Sequence, residues 1–275
     1  FNFSVVNCQW EPAALRKVIR RTQEASASVG APPTWVLSNH DKVRHATRFG
    51  YPSGANTDNG IGASDPQPDR EIRLTRALSA TAFLAGLPGS IYLYNGEELG
   101  LPDATKLPDE ARQDPTWQRS GFRVRGRDGC RVPLPWSDEP GSNFGFSPAG
   151  ASPAWLPQPD DWGELSVQAQ ESDPNSPLNF YRKMLDLRRD LGLGMGEATW
   201  LDSDPEVLAL QVTGANGTRV VVVTNLGIGV RPLPEIAVAD SAKIVLATPG
   251  IGSSVTENSS REDNIAPGQT LWIEI

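Results

Sequence analysis

An α/β region followed by a small all-β region is the fold class this sequence predicts, and three observations predict it. Apolar, β-rich stretches alternate three times with helical patterns over residues 1–195. Beyond Leu191 the pattern changes to short β-rich segments separated by Gly, Asn, Asp and Pro. The chain has 275 residues, 38% of them apolar and 21% charged, enough for one large or two small cored domains.

The three alternations run in order. Phe1 to Val6 (FNFSVV) reads as a strand, followed by a helix over Pro12 to Ser28. That helix opens at Glu11-Pro12 with proline in its first turn, and Gly30, Pro32 and Pro33 stop it. Thr34 to Ser38 is the second strand, and Arg70 to Leu87 the second helix, with Leu74, Ala77, Leu78, Thr81 and Ala82 on one face. Ser90 to Tyr94 is the third strand and Pro177 to Leu191 the third helix. The boundary falls near Gly196, so that 196–275 forms an antiparallel β-sandwich with strands over Val207–Thr213, Arg219–Asn225, Lys243–Thr248 and Leu271–Ile275. Asn216-Gly217 marks a hairpin between the first two of these.

Residues 96–176 lack sustained periodicity and far exceed the roughly 12 to 15 residues at which loops become unusual. Trp117, Trp136, Phe144, Phe146, Trp155 and Trp162 argue that this stretch is ordered. Such rings either anchor a loop to its own scaffold or stack on the apolar faces of a sugar.

With 33 acidic against 25 basic side chains the net charge is −8, and no basic run offers a footing for nucleic acid. No apolar run approaches the roughly 20 residues a membrane-spanning helix needs. Cys8 and Cys130 are too few for a disulfide framework and lack zinc-site spacing; two thiols fit a reducing, cytoplasmic setting. No metal-ligand cluster or cofactor motif stands out. The N-terminus reads as a strand already under way, so the expectation is a fragment of a larger protein.

In a parallel βα array ligands meet the chain at the C-terminal ends of strands. The richest such end is Asn39-His40-Asp41 after TWVLS, followed by Arg44 and Arg48. A carboxylate beside an imidazole can orient vicinal hydroxyls. The alternative is that Asn39 or Asp41 caps a short helix. Glu97 and Glu98 follow the third strand, but neighbours on an extended segment point to opposite faces, so they do not act as a catalytic pair and read as structural. Arg44, Tyr92 and Trp136 read as scaffold.

TWVLSNHDKVR resembles the fourth sequence region of the α-amylase superfamily, glycoside hydrolase family 13, and AGLPGSIYLYNGEELG its eighth-strand region. RDGCRVPLPW, Arg127 to Trp136, is similar to the arginine loop of the α-glucosidase and oligo-1,6-glucosidase branch, and FYRKMLDLRR to that branch's last barrel helix. The resemblance implies that residues 1–195 are strands six to eight of a partial TIM (β/α)8 barrel, with the long loop 96–176. It implies that Asp41 stabilises the transition state by binding the 2- and 3-hydroxyls of glucose, that His40 binds the same sugar, and that Arg131 reaches its 4-hydroxyl. The nucleophile and acid/base of a retaining mechanism would lie on strands absent from this chain. The implied activity is therefore removal of terminal α-linked glucose from short oligosaccharides or disaccharides, with this fragment inactive, and unstable or prone to aggregate, unless its barrel's N-terminal part is supplied. Alternatives are a trehalose synthase or sucrose isomerase-like transglycosylase, a non-catalytic scaffold of the amylase fold, and, less favoured, a carbohydrate-binding β-domain carrying Trp200 and Trp272.

Overall fold

The computed structural model describes residues 2–252 and 263–275. The chain divides into two compact units: one holds 1–36, 70–92 and 183–275, the other 37–69 and 93–182.

In the first unit the chain opens with a short helix α1, Phe3–Val6, then α2, Pro12–Ser28. The strand expected over residues 1–6 is thus helical, and Phe1 lies outside the described residues. Asn2 explains the correction: its side chain accepts from Val5 N–H at 3.3 Å, and its carbonyl accepts from Val5 and Val6. A strand needs a partner to bond its backbone, whereas this turn satisfies itself; Val5 and Val6 are then buried. Glu11 caps α2 through the N–H groups of Ala13 and Ala14, with Pro12 at the first helical position.

β1, Thr34–Val36, pairs in parallel with β2, Ser90–Tyr92, in register Trp35 to Ile91. Both are shorter than the sequence suggests, and among the described residues these two strands form no closed barrel. In the second unit a single helical turn, α3, spans His45–Arg48. Back in the first unit, α4, Arg70–Ala85, is buried on nearly every side from Ala77 onward.

One side of α4 packs on the antiparallel sheet. α5, Pro115–Arg119, and α6, Val167–Glu171, belong to the second unit, and α7, Pro177–Asp190, leads the chain back to the first. Then follow β3 (Glu197–Trp200), β4 (Val207–Thr213), β5 (Arg219–Asn225), β6 (Arg231–Pro232), β7 (Lys243–Ala247), β8 (Asn264–Ile265) and β9 (Thr270–Glu274). Five of these form one sheet in the order β3-β4-β5-β9-β7, and β6 pairs with β8 separately. The hairpin at Asn216-Gly217 joins β4 to β5 as the sequence predicts; Gly217 takes the positive φ of 85° that the turn requires.

The run Val220 to Val223 is apolar at every position because both faces of β5 are covered. One face, with Val207, Ala209, Val221, Val223, Leu271 and Ile273, packs with Leu233, Ala237 and Ile265. On the other face Val222 and Trp272 meet α4. A Cβ at Gly86 would lie 2.6 Å from Val222 Cγ1, so only glycine permits this approach. Polar atoms inside that contact are paired: Ser79 Oγ lies 2.7 Å from Thr270 Oγ1, and Trp272 Nε1 donates to the Ala82 carbonyl at 3.0 Å. Arg188 of α7 is buried and donates to the carbonyls of Ala85, Leu87 and Gly89 where α4 ends.

The second unit has little regular structure but its own core of Leu99, Leu101, Val132, Phe144, Leu156 and Trp162, among others. Trp117, Phe144 and Trp162 therefore anchor the loop, while Trp136, Phe146 and Trp155 stay exposed.

Candidate functional site

Asn39, His40 and Asp41 follow β1 in the second unit. Asn39 is buried, and its Oδ1 accepts from Asp41 N–H at 2.8 Å. This local turn throws the next two side chains outward; neither Asn39 nor Asp41 is the residue that caps α3, which is preceded by Arg44 without a side-chain cap. His40 keeps 69% of its side chain exposed and Asp41 38%, so the imidazole and carboxylate sit at the rim, with His40 Nε2 3.5 Å from Asp41 Oδ2.

Arg131 reaches the same place. Its Nε donates to the His40 carbonyl at 2.8 Å and its Nη2 to Asp41 Oδ1 at 3.2 Å. The three residues singled out from sequence are thus assembled within hydrogen-bonding distance of one another.

Two further residues belong to this cluster, and sequence reasoning passed over both. Arg127 Nη1 donates to Asp41 Oδ1 at 2.7 Å, closer than Arg131. Behind it stands Asp114, whose side chain is wholly buried. Arg127 Nε donates to Asp114 Oδ2 at 2.5 Å and Nη2 to Oδ1 at 3.3 Å, a two-point grip of the kind a planar guanidinium favours. The signal is RDGCR itself, which contains two arginines, of which the family resemblance singles out only Arg131.

The charges settle as the geometry suggests. Burial pushes the Asp114 carboxyl up, but the Arg127 side chain and the N–H groups of Thr116 and Arg127 outweigh it and hold the group well below the usual carboxylate range. At Asp41 desolvation again acts upward and is overcome by the Arg127 hydrogen bond and by the charges of His40, Arg127 and Arg131, so its carboxyl lies below its ordinary value. Arg127 is raised in turn, chiefly by its bond to Asp114. Asp41 is therefore an ionised acceptor, with Oδ1 engaged by two guanidiniums and Oδ2 directed toward His40.

Beneath the rim lies a second polar cluster. Arg44 is buried, donates to the carbonyls of Asn95 and Cys130 at 2.8 and 3.0 Å, and stacks 4.8 Å from the Tyr94 ring centroid, which makes it scaffold. Its backbone N–H donates to Asp103 Oδ1 at 2.7 Å, and burial raises the Asp103 carboxyl to about 6. Glu97 is buried and raised to about 8 by desolvation, while burial holds His45 neutral, well below its ordinary value. Ser38 Oγ and Glu97 Oε1 both approach His45 Nδ1, at 2.8 and 3.7 Å. Since both meet the same nitrogen, this Ser-His-Glu grouping is no relay for activating the serine. Glu98 Oε2 instead accepts from Gly96 N–H at 2.8 Å, so the adjacent glutamates have separate, structural partners.

Cys8 and Cys130 are both buried and form no disulfide. Among the described residues no group of His, Cys, Asp or Glu could hold a metal ion, and no helix is long and apolar enough to cross a membrane.

The chain matches known proteins along most of its length. Residues 2–193 match the family model described as the α-amylase catalytic domain. A probable α-glucosidase of Rhizobium meliloti (strain 1021) is 32% identical over 198 residues, 72% of this chain and 31% of the relative. The oligo-1,6-glucosidase of Parageobacillus thermoglucosidasius is 27% identical over 236 residues, 78% of this chain and 38% of the relative. Among solved structures, the α-glucosyl transfer enzyme XgtA superposes with a TM-score of 0.71 at 28% identity, covering 100% of this chain and 45% of that one. The chain thus spans about a third of the length of these curated relatives. It belongs to the α-amylase catalytic-domain family, in the branch of the α-glucosidases and oligo-1,6-glucosidases.

Proposed function

We propose that this chain carries the glucose-gripping rim of a retaining α-glucosidase that removes terminal α-linked glucose from short oligosaccharides or disaccharides. The observation that carries the reading is the meeting of His40, Asp41 and Arg131 at one exposed rim, with Asp41 ionised. Asp41 Oδ2 accepts a ring hydroxyl, His40 adds a donor, and Arg131 closes on the hydroxyl at the non-reducing end. As the sugar flattens toward an oxocarbenium ion, the anionic grip strengthens, which is binding of the transition state over the ground state. On this reading residues 1–195 are the last βα units of a (β/α)8 barrel and 196–275 a C-terminal β-domain. The nucleophile and acid/base belong to the barrel strands that precede them.

A second reading, glucosyl transfer to another sugar, is favoured by the likeness to XgtA, whose name describes α-glucosyl transfer. The rim serves both, since the acceptor, water or sugar, enters on the other side of the scissile bond.

The test has two arms. Residues 1–275 alone release no p-nitrophenol from p-nitrophenyl α-glucoside; turnover comparable to an intact α-glucosidase overturns the assignment of nucleophile and acid/base to other strands. When the preceding barrel strands are joined to it, maltose is cleaved, and Asp41→Asn lowers kcat/KM by roughly a hundred- to a thousand-fold, the scale of one lost transition-state contact. An Asp41→Asn enzyme within about threefold of wild type sinks the rim reading. Glucose alone as product favours hydrolysis; new disaccharides favour transfer.

A further inference from the structure

We propose that Asp114 is the positioning residue of this rim: it fixes Arg127 so that Nη1 meets Asp41 Oδ1, and so decides which carboxylate oxygen is left for a sugar. The functional sense of this rests on reading Asp41 as the residue that grips glucose; the geometry stands apart from it.

Asp114 is held from every side. Its Oδ1 accepts from Thr116 N–H and its Oδ2 from Arg127 N–H, each at 2.9 Å. Its own N–H, with that of Gln113, donates to Asp128 Oδ2, at 2.9 and 2.7 Å, and Asp128 is itself buried. Gly126 seals the contact: it has a φ of 74°, and a Cβ there would stand 2.7 Å from the Asp114 carboxyl carbon. The carboxylate thus has one orientation, and Arg127 inherits it through two donors. Without that grip Arg127, 38% exposed, would be a long side chain with many rotamers and one contact.

Asp114 also makes the convergence of two cations possible. Arg127 Nη1 and Arg131 Nη2 meet on one oxygen of Asp41, and Arg131 Nη1 lies 3.8 Å from Asp114 Oδ2. Two guanidiniums against a single carboxylate would leave one positive charge in excess; Asp114 balances it. The groups facing Asp41 are then His40, Arg127 and Arg131, while the neighbouring Lys42 is paired with Asp58 at 2.9 Å.

A positioning role and mere charge proximity predict opposite signs. Asp114→Asn keeps an acceptor for Thr116 N–H but removes the charge. If Asp114 only adds negative potential, its loss leaves Asp41 closer to uncompensated cations and its titration midpoint falls. If Asp114 holds Arg127 in place, Asp41 loses its shortest hydrogen bond and the midpoint rises, by about one pH unit. The measurement is the carbon-detected NMR titration of Asp41 in the full chain without sugar. A rise is expected; a fall or no change overturns the proposal. Arg127→Gln raises the midpoint as well, and adding Asp114→Asn to it raises the midpoint no further, because the rise comes through Arg127 alone and the lost Asp114 charge beside Arg131 acts downward. A further rise in the double variant overturns it too. Where Asp114→Asn does not fold, the wild-type Arg127 Nε–H decides: a persistent, slowly exchanging resonance at pH 7 is expected, and one lost to solvent exchange overturns the proposal. Sugar binding takes no part in these readouts, so a failure of the glucose reading would show separately as Asp41→Asn without effect on ligand affinity.

Discussion

Replacing Arg188 by methionine should be among the most damaging single changes in the first unit. Its guanidinium is buried and donates to three carbonyls, those of Ala85, Leu87 and Gly89, where α4 ends and the chain turns toward β2. A cation at that end also opposes the partial negative charge of the helix terminus. Methionine preserves most of the stem's packing but no donor. Each buried carbonyl left unpaired costs about 1–3 kcal/mol, and partial relaxation brings the sum for such a network to roughly 3–5 kcal/mol. With a urea m-value of about 3 kcal/mol per molar, the unfolding midpoint should fall by about 1 M or more. Arg188→Lys should recover only part of this, since one ammonium cannot span acceptors that a planar fork reaches. Urea unfolding followed by tryptophan fluorescence measures both. A fall under about 0.3 M for the methionine variant, or full recovery with lysine, would refute the account of these carbonyls as dependent on the fork.

Two further substitutions probe other features. Glu97 sits near 8 in the folded chain against 4.5 when unfolded, so its contribution is complete below pH 4.5 and is lost as pH rises through 8. His45 acts with the opposite sign, losing stability only as pH falls below about 6.5, and Asp103, near 6, acts below that window. Between pH 6.5 and 8 the wild type should therefore lose on the order of 1 kcal/mol per pH unit, and Glu97→Gln should flatten that slope; unchanged slopes in chemical denaturation would contradict the neutral buried glutamate. Gly86→Ala would drive a methyl into Val222 and Trp272 and should destabilise by about 1–3 kcal/mol, read as a lowered midpoint without loss of the Asp41 titration.

Much of the fold was legible because the deciding signals were local. Glu11-Pro12 marks the start of α2 to the residue, and Asn216-Gly217 marks its hairpin, since a capped first turn and a turn closed by a positive-φ glycine are properties of two or three neighbours. The opening segment misled for the opposite reason: phenylalanine and valine favour strands only where a ladder receives them, and the Asn2 turn competes without one. β3, β6 and β8 were missed because Glu197–Trp200 and the two-residue strands have too little pattern of their own. At the site, His40, Asp41 and Arg131 stood out through motifs resembling a family. Asp114 did not, because its meaning lies in a guanidinium 13 residues further on and in the absence of a side chain at Gly126.

The double engagement of Asp41 Oδ1 has a stereochemical consequence. A carboxylate free to spin about its Cβ–Cγ bond presents equivalent oxygens and reads a diol indifferently, whichever hydroxyl arrives first. Tethered by Arg127 and Arg131, this one has a fixed inner and outer oxygen. If Asp41 grips glucose as proposed, only the outer oxygen is left for a ring hydroxyl, and the direction from which that hydroxyl approaches is set by the two arginines behind the carboxylate.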